Sequence, residues 1–154
     1  MKIWRICKEK HKKTAFSGEG GLYASGRWTP KGTLAVYTSE SLALATLEVF
    51  VHTESNAIPL ISIHAFLAEN ITVEEIKIDD LPSIWQEESA YPSLQAIGED
   101  WLRSKRTAVL KVPSVIIPFE YNYILNPKHP ELKISTDTSF DFKFDRRMWK
   151  KVSF

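Results

Sequence analysis

Apolar and polar residues follow one another in short alternating runs through most of the chain, and two stretches carry the longer period of a helix. Ile3-Trp4-Arg5-Ile6 alternates as an opening strand with Trp4 and Arg5 on opposite faces. Gly18 to Gly26 is glycine-rich and weakly structured; a turn at Lys31-Gly32 then leads into the apolar run Leu34 to Tyr37. A helix is predicted from Ser39, whose hydroxyl can cap the free amides of the first turn, with Glu40 favoured by the helix dipole. From Leu42 to Val51 every residue is apolar or small except Thr46 and Glu48. A helix apolar nearly all round is expected to be buried.

Farther on, Ile58 to Phe66 and Asn70 to Ile78 read as strands, the second closed by the turn residues Asp79 to Pro82. Ser83 to Tyr91 fits neither period. Pro92 suits a helix start, and Leu94, Ile97, Trp101 and Leu102 continue that helix to Ser104, with Gly98 its weakest position. Thr107 to Val112 reads as a strand, Pro113-Ser114 as a turn or bulge, and Val115 to Ile117 as a second strand. Tyr121 to Leu125 is another short strand, Asn126 to Pro130 is irregular, and Leu132–Ser135 and Phe140–Phe144 are two late strands. No repeat or linker divides the chain. The pattern is that of a single α+β domain over residues 1–154, rich in strands, with two main helices.

Composition narrows the possibilities. A length of 154 residues with 44% hydrophobic content supports one core, and five Trp argue against disorder. A net charge of +1 makes no global case for nucleic acid, and Lys8, Lys10, Lys12 and Lys13 read as a solvated loop. A single Cys7 excludes an intrachain disulfide and fits a reducing compartment. There is no signal-peptide pattern, and Glu48 interrupts the best candidate for a bilayer span, so a cytoplasmic protein is expected, without membrane contact.

Glu48 is the residue that asks for an explanation, because a lone buried carboxylate costs several kcal/mol unless it is partnered. Either it pairs with Arg5 or Arg27 in a structural salt bridge, or it faces a cleft. Other chemistries drop out. Gly18-Glu19-Gly20-Gly21 lacks the preceding strand and following helix of a dinucleotide loop. The four His are scattered without metal-ligand spacing, Cys7 reads as a small hydrophobe, and no carboxylate pair suggests glycosidase chemistry. Without further information Arg27 reads as a surface-loop arginine, Tyr37 as core, Ser114 as a turn residue, His52 as a helix C-terminal histidine, and Asn122 and Asn126 as loop anchors.

Taken together, Trp-Arg-Ile, Gly-Gly-Leu-Tyr-Ala-Ser-Gly-Arg-Trp, Val-Tyr-Thr-Ser, Ala-Leu-Ala-Thr-Leu-Glu-Val-Phe-Val-His, Val-Pro-Ser and Asn-Tyr-Ile-Leu-Asn-Pro-Lys-His-Pro resemble, in order and spacing, the RES domain of bacterial toxin–antitoxin pairs. One departure is Thr29, where the family pattern has Asn. The resemblance makes Arg27, Glu48 and Ser114 the name-giving, catalytic residues. It implies a fold similar to diphtheria-toxin-like ADP-ribosyltransferases and cleavage of NAD+, as substrate and not as cofactor, between nicotinamide and ribose. Phosphate or water would be the acceptor; transfer to a protein, or a non-catalytic binding domain, are the alternatives. The implied partner is an Xre-type helix-turn-helix antitoxin whose tail covers the site, with no direct nucleic-acid contact and a homodimer left open.

On this resemblance one carboxylate suffices, since the nicotinamide of NAD+ leaves from an already cationic nitrogen and only the oxocarbenium-like ribose needs electrostatic support. Arg5 and Arg27 would hold the pyrophosphate or an attacking phosphate, and Tyr37 would stack on nicotinamide. Ser39 and Asn126 complete the expected NAD+-binding set. Ser114 would bond the ribose or orient Glu48.

Overall fold

A computed structural model describes residues 1–150 of the chain. Its strands are β1 (Lys2–Lys8), β2 (Val36–Ser39), β3 (Leu60–Leu67), β4 (Val73–Glu75), β5 (Val109–Pro113), β6 (Tyr121–Leu125) and β7 (Ile134–Phe142). They form one sheet in the order β4-β5-β6-β2-β1-β3-β7. The helices are the single turn α1 (Gly20–Tyr23), α2 (Leu42–Phe50) and α3 (Tyr91–Ser104). The α+β class and the two main helices agree with the hydrophobic pattern.

The middle of the sheet is buried on both sides. Leu110, Val112 and Ile124 pack on one face with Trp28, Leu94 and Trp101, while Val109, Leu125 and Val36 pack on the other with Ile3, Ala65 and Leu67. Strands covered on both faces read as continuous apolar runs, which is why β5 and β6 show little alternation. At the centre β1 and β2 share only one registered pair, Trp4 with Ser39. The long pairings on either side of it, β1 with β3 and β2 with β6, are regular.

Several elements differ from the sequence expectation. Ser41, not Ser39, caps α2, its hydroxyl accepting from the Leu44 amide at 3.1 Å; Ser39 is the last residue of β2. Glu40 lies before the helix and accepts from the Tyr121 amide. Within α2 only Leu44 and Ala45 are fully buried, because the helix roofs a cavity and does not fill the core. The expected strand over 70–78 shrinks to β4, paired in parallel with β5. Residues 115–117 are loop, and the two late strands are one, β7, lying antiparallel to β3 with a register shift between Ile63 and Ala65.

α3 follows the prediction closely. Pro92 sits in its first turn and Lys105 closes it in the left-handed conformation with φ of 54°. Its glycine has a structural reason: a Cβ on Gly98 would run into the Trp28 carbonyl oxygen, so the helix can lie this close to the chain only without a side chain there. Beyond β7, Phe144 and Trp149 meet Phe50 with ring centroids 5.3 and 4.8 Å away, fastening the C-terminal end of α2 on the side away from the cavity.

Candidate active site

The cavity under α2 has a volume of about 360 Å³, at the lower end of the usual range for small-molecule sites. β1 supplies Trp4 and Arg5, β2 supplies Tyr37 and Ser39, α2 supplies Glu48, the turn that follows it supplies His52, and Arg27, Tyr91, Val115 and Asn122 complete the wall. Trp4, Ser39 and Asn122 stand opposite one another on three neighbouring strands, and so project from one face of the sheet.

Glu48 is held by neutral donors. Its Oε1 accepts from Ser114 Oγ at 2.7 Å and from Asn122 Nδ2 at 2.7 Å. Ser39 Oγ donates to Asn122 Oδ1 at 2.6 Å, which orients the amide so that its NH2 faces the carboxylate. Ser114, fully buried, accepts in turn from the Ile116 and Ile117 amides, each at 3.1 Å. Among the described residues Glu48 forms no salt bridge, and Oε2 has no protein partner. The alternative of a structural ion pair with Arg5 or Arg27 is therefore not what the fold builds. The result is a carboxylate fixed through one oxygen, with no counter-charge beside it and the other oxygen free to take a ligand.

Both arginines line the cavity, each tied by one hydrogen bond. Arg5 Nη1 donates to the Tyr37 carbonyl at 2.7 Å, while its Nε is buried with no partner. That burial pulls the Arg5 guanidinium below its ordinary pKa, while the Cys7 thiol is pushed up by its own burial, the charge of Arg5 opposing. Arg27 Nη1 donates to the Trp85 carbonyl at 3.2 Å, and its Cζ lies 4.6 Å from the centre of the Tyr91 ring.

Tyr37 reaches across to the loop carrying Arg27. Its hydroxyl accepts from the Trp28 amide and bonds the Thr29 hydroxyl at 2.7 Å, and Gly26 lies so close that a Cβ there would meet the phenol. Burial raises the phenol pKa to about 12, the hydrogen bonds to Thr29 and Trp28 opposing, so Tyr37 stays protonated near neutrality and its hydroxyl ties β2 to the Arg27 loop. Thr29, where the resemblance led us to expect Asn, makes this loop contact through its hydroxyl.

Ser39 is buried and touches Asn122, so its hydroxyl is committed to orienting that amide. Asn126 stands apart from the expected set. It is buried between the Leu102 carbonyl and the Lys128 amide and lines a separate cavity beside Arg103 and Lys105. Its neighbour in the motif, Asn122, takes the place in the site that Asn126 was expected to share. Asn122, read from the sequence as a loop anchor, lies in β6 opposite Ser39, on the strand face of the buried Ile124. Tyr91 was hidden in a segment without clear period.

A family model described as "RES domain" matches residues 2–145. Among curated proteins the chain is 36% identical over 160 residues to "Prs ADP-ribosylating toxin" of Sphingobium sp. (strain YBL2), covering 97% of this chain and 98% of that protein. It is 36% identical to "Toxin Res" of Photorhabdus laumondii, with 97% and 98% covered, and 30% identical to "Toxin Res" of Yersinia enterocolitica, with 96% and 99% covered. Among solved structures it is similar to a chain of the M. tuberculosis MbcT-MbcA toxin-antitoxin complex, with a TM-score of 0.75, 16% identity, and 92% of this chain and 83% of that one covered. The last likeness concerns the fold.

Proposed function

The chain belongs to the RES-domain family, and from that premise we propose that it is the toxin of a toxin–antitoxin pair and cleaves NAD+ between nicotinamide and ribose. The observation that carries this reading is Glu48: a carboxylate positioned by Ser114 and Asn122, in no salt bridge among the described residues, in an aromatic-walled cavity. Such a group suits a reaction in which positive charge develops on the substrate and not on the enzyme.

In this mechanism Glu48 Oε2 accepts from a ribose hydroxyl and faces the sugar as its C1′–N bond breaks. The bonding pair leaves with nicotinamide, whose nitrogen becomes neutral, so no general acid is required. An oxygen of water or phosphate then bonds to C1′ and gives up a proton to solvent. Arg5, with its unpartnered Nε, and Arg27 take the anionic oxygens of the dinucleotide or of the attacking phosphate. Trp4 and Tyr37 give the nicotinamide ring an apolar wall.

The name of the Sphingobium relative supports a second reading, in which the same cleft transfers ADP-ribose to a protein. Both readings share the nicotinamide-releasing step and part at the acceptor. The similarity to a chain of a toxin–antitoxin complex supports a silencing partner, proposed to be a helix-turn-helix antitoxin whose tail covers the cavity in the cytoplasm of the producing cell. Incubating the purified chain with NAD+, with and without phosphate, and identifying the products tests the proposal. Free nicotinamide with ADP-ribose or its 1-phosphate is expected. Intact NAD+ under all conditions, including with cell extract as acceptor, contradicts it.

A further inference from the structure

The segment Gly26-Arg27-Trp28 belongs to no helix or strand, yet it carries an arginine of the site. It is held from one side by a single face of α3. Tyr91, Gln95 and Gly98 stand at helical spacing i, i+4 and i+7, so they lie in a row along that face. Each meets this segment at a different residue. The Tyr91 ring lies beneath the Arg27 guanidinium at 4.6 Å, Gln95 Nε2 donates to the Gly26 carbonyl at 2.8 Å, and the bare Cα of Gly98 admits the Trp28 carbonyl.

From this row we infer that Tyr91 is a positioning residue: its ring, together with the Trp85 carbonyl, fixes the plane of the Arg27 guanidinium in the cavity and thereby sets the affinity for NAD+. The inference rests on the reading of Arg27 as a ligand-binding group. A guanidinium on a tether of freely rotating bonds loses entropy whenever it is fixed on an anion. Arg27 is already held by the aromatic ring on one face and by the hydrogen bond from Nη1 on one edge. Its remaining N–H donors have no protein partner among the described residues, which leaves them for an oxyanion. The phenolic hydroxyl has no part in this role; the π face alone supports the cation.

The test uses the full chain and three variants, Tyr91→Phe, Tyr91→Leu and Arg27→Lys, measured two ways. NAD+ cleavage kinetics should show KM raised about 3- to 30-fold in Tyr91→Leu, the range a cation–π contact supports, with kcat little changed and with Tyr91→Phe close to wild type. The second readout is the Arg27 Nε–H signal in 15N NMR spectra, assigned by its loss in Arg27→Lys. It should shift in Tyr91→Leu and stay in place in Tyr91→Phe. An unmoved Arg27 signal in Tyr91→Leu, or equal KM changes in the Phe and Leu variants, overturns the inference. A wild-type chain that leaves NAD+ intact overturns its bearing on NAD+ along with the proposed function, while the NMR comparison still decides whether Tyr91 holds Arg27.

Discussion

Ser114 uses one hydroxyl for three contacts: it donates to Glu48 and accepts from the amides of Ile116 and Ile117. It shapes the loop and aims the carboxylate at once. Ser114→Ala leaves two amides and one carboxylate oxygen short of a partner in a buried place, so it should destabilise by about 1–3 kcal/mol. The same change frees Glu48 to rotate, and turnover of the folded variant should fall. Thermal melting and nicotinamide release on one preparation check both effects; a variant as stable and as active as wild type contradicts this account. In the sequence Ser114 was legible as a turn residue after Pro113. That it orients Glu48, 66 positions away, was implied only by the family resemblance, because no local pattern encodes which loop meets which helix.

At the scale of the element, α2 shows how a tertiary demand settles an ambiguity that local chemistry leaves open. Ser39 and Ser41 are both competent caps, and the earlier one looked favourable with Glu40 behind it. Pairing of Ser39 with Trp4 and Asn122 extends β2 to that residue, and the helix therefore starts from Ser41. The two serines should separate cleanly. Ser41→Ala should cost about 1 kcal/mol as a lost cap and leave NAD+ cleavage unchanged per folded molecule. Ser39→Ala should cut activity through a loosened Asn122. The reverse assignment in paired melting and activity assays would mean that the hydroxyl network is not what aligns Glu48. A similar limit explains β7: an edge strand exposed along much of its length, with Asp137-Thr138 in its middle, buries too little to keep a period-two pattern, so one strand read as two.

Across the whole molecule, the sheet narrows to a single registered pair where β1 meets β2, and the residues of that pair, Trp4 and Ser39, line the cavity. The cavity draws on segments from Trp4 to Asn122, and the sequence revealed their members unequally. Glu48 stood out as the lone charge in an apolar helix, and Arg27 followed from the motif around it. Arg5 was read on the strand face opposite Trp4, and both residues line the cavity. Asn122 and Tyr91 sit in the site only because β6 pairs with β2 and because α3 packs on the Arg27 loop, facts of assembly that no short window contains. Asn126, equally polar and equally close to the motif, was carried into the expected set by the same lack of spatial information.

The central claim is that Glu48 is a positioned, unpaired carboxylate serving a cationic transition state, and Glu48→Gln tests it most directly. Gln keeps an oxygen able to accept from Ser114 and Asn122, and no arginine is stranded, since Glu48 has no ionic partner among the described residues. A buried ion pair broken in this way would cost about 3–5 kcal/mol; here the melting temperature should stay near that of wild type. Nicotinamide release from NAD+ by the same folded preparation should drop by roughly two orders of magnitude or more, the scale of losing one preorganised electrostatic group. A folded Glu48→Gln protein that releases nicotinamide at the wild-type rate would contradict the account.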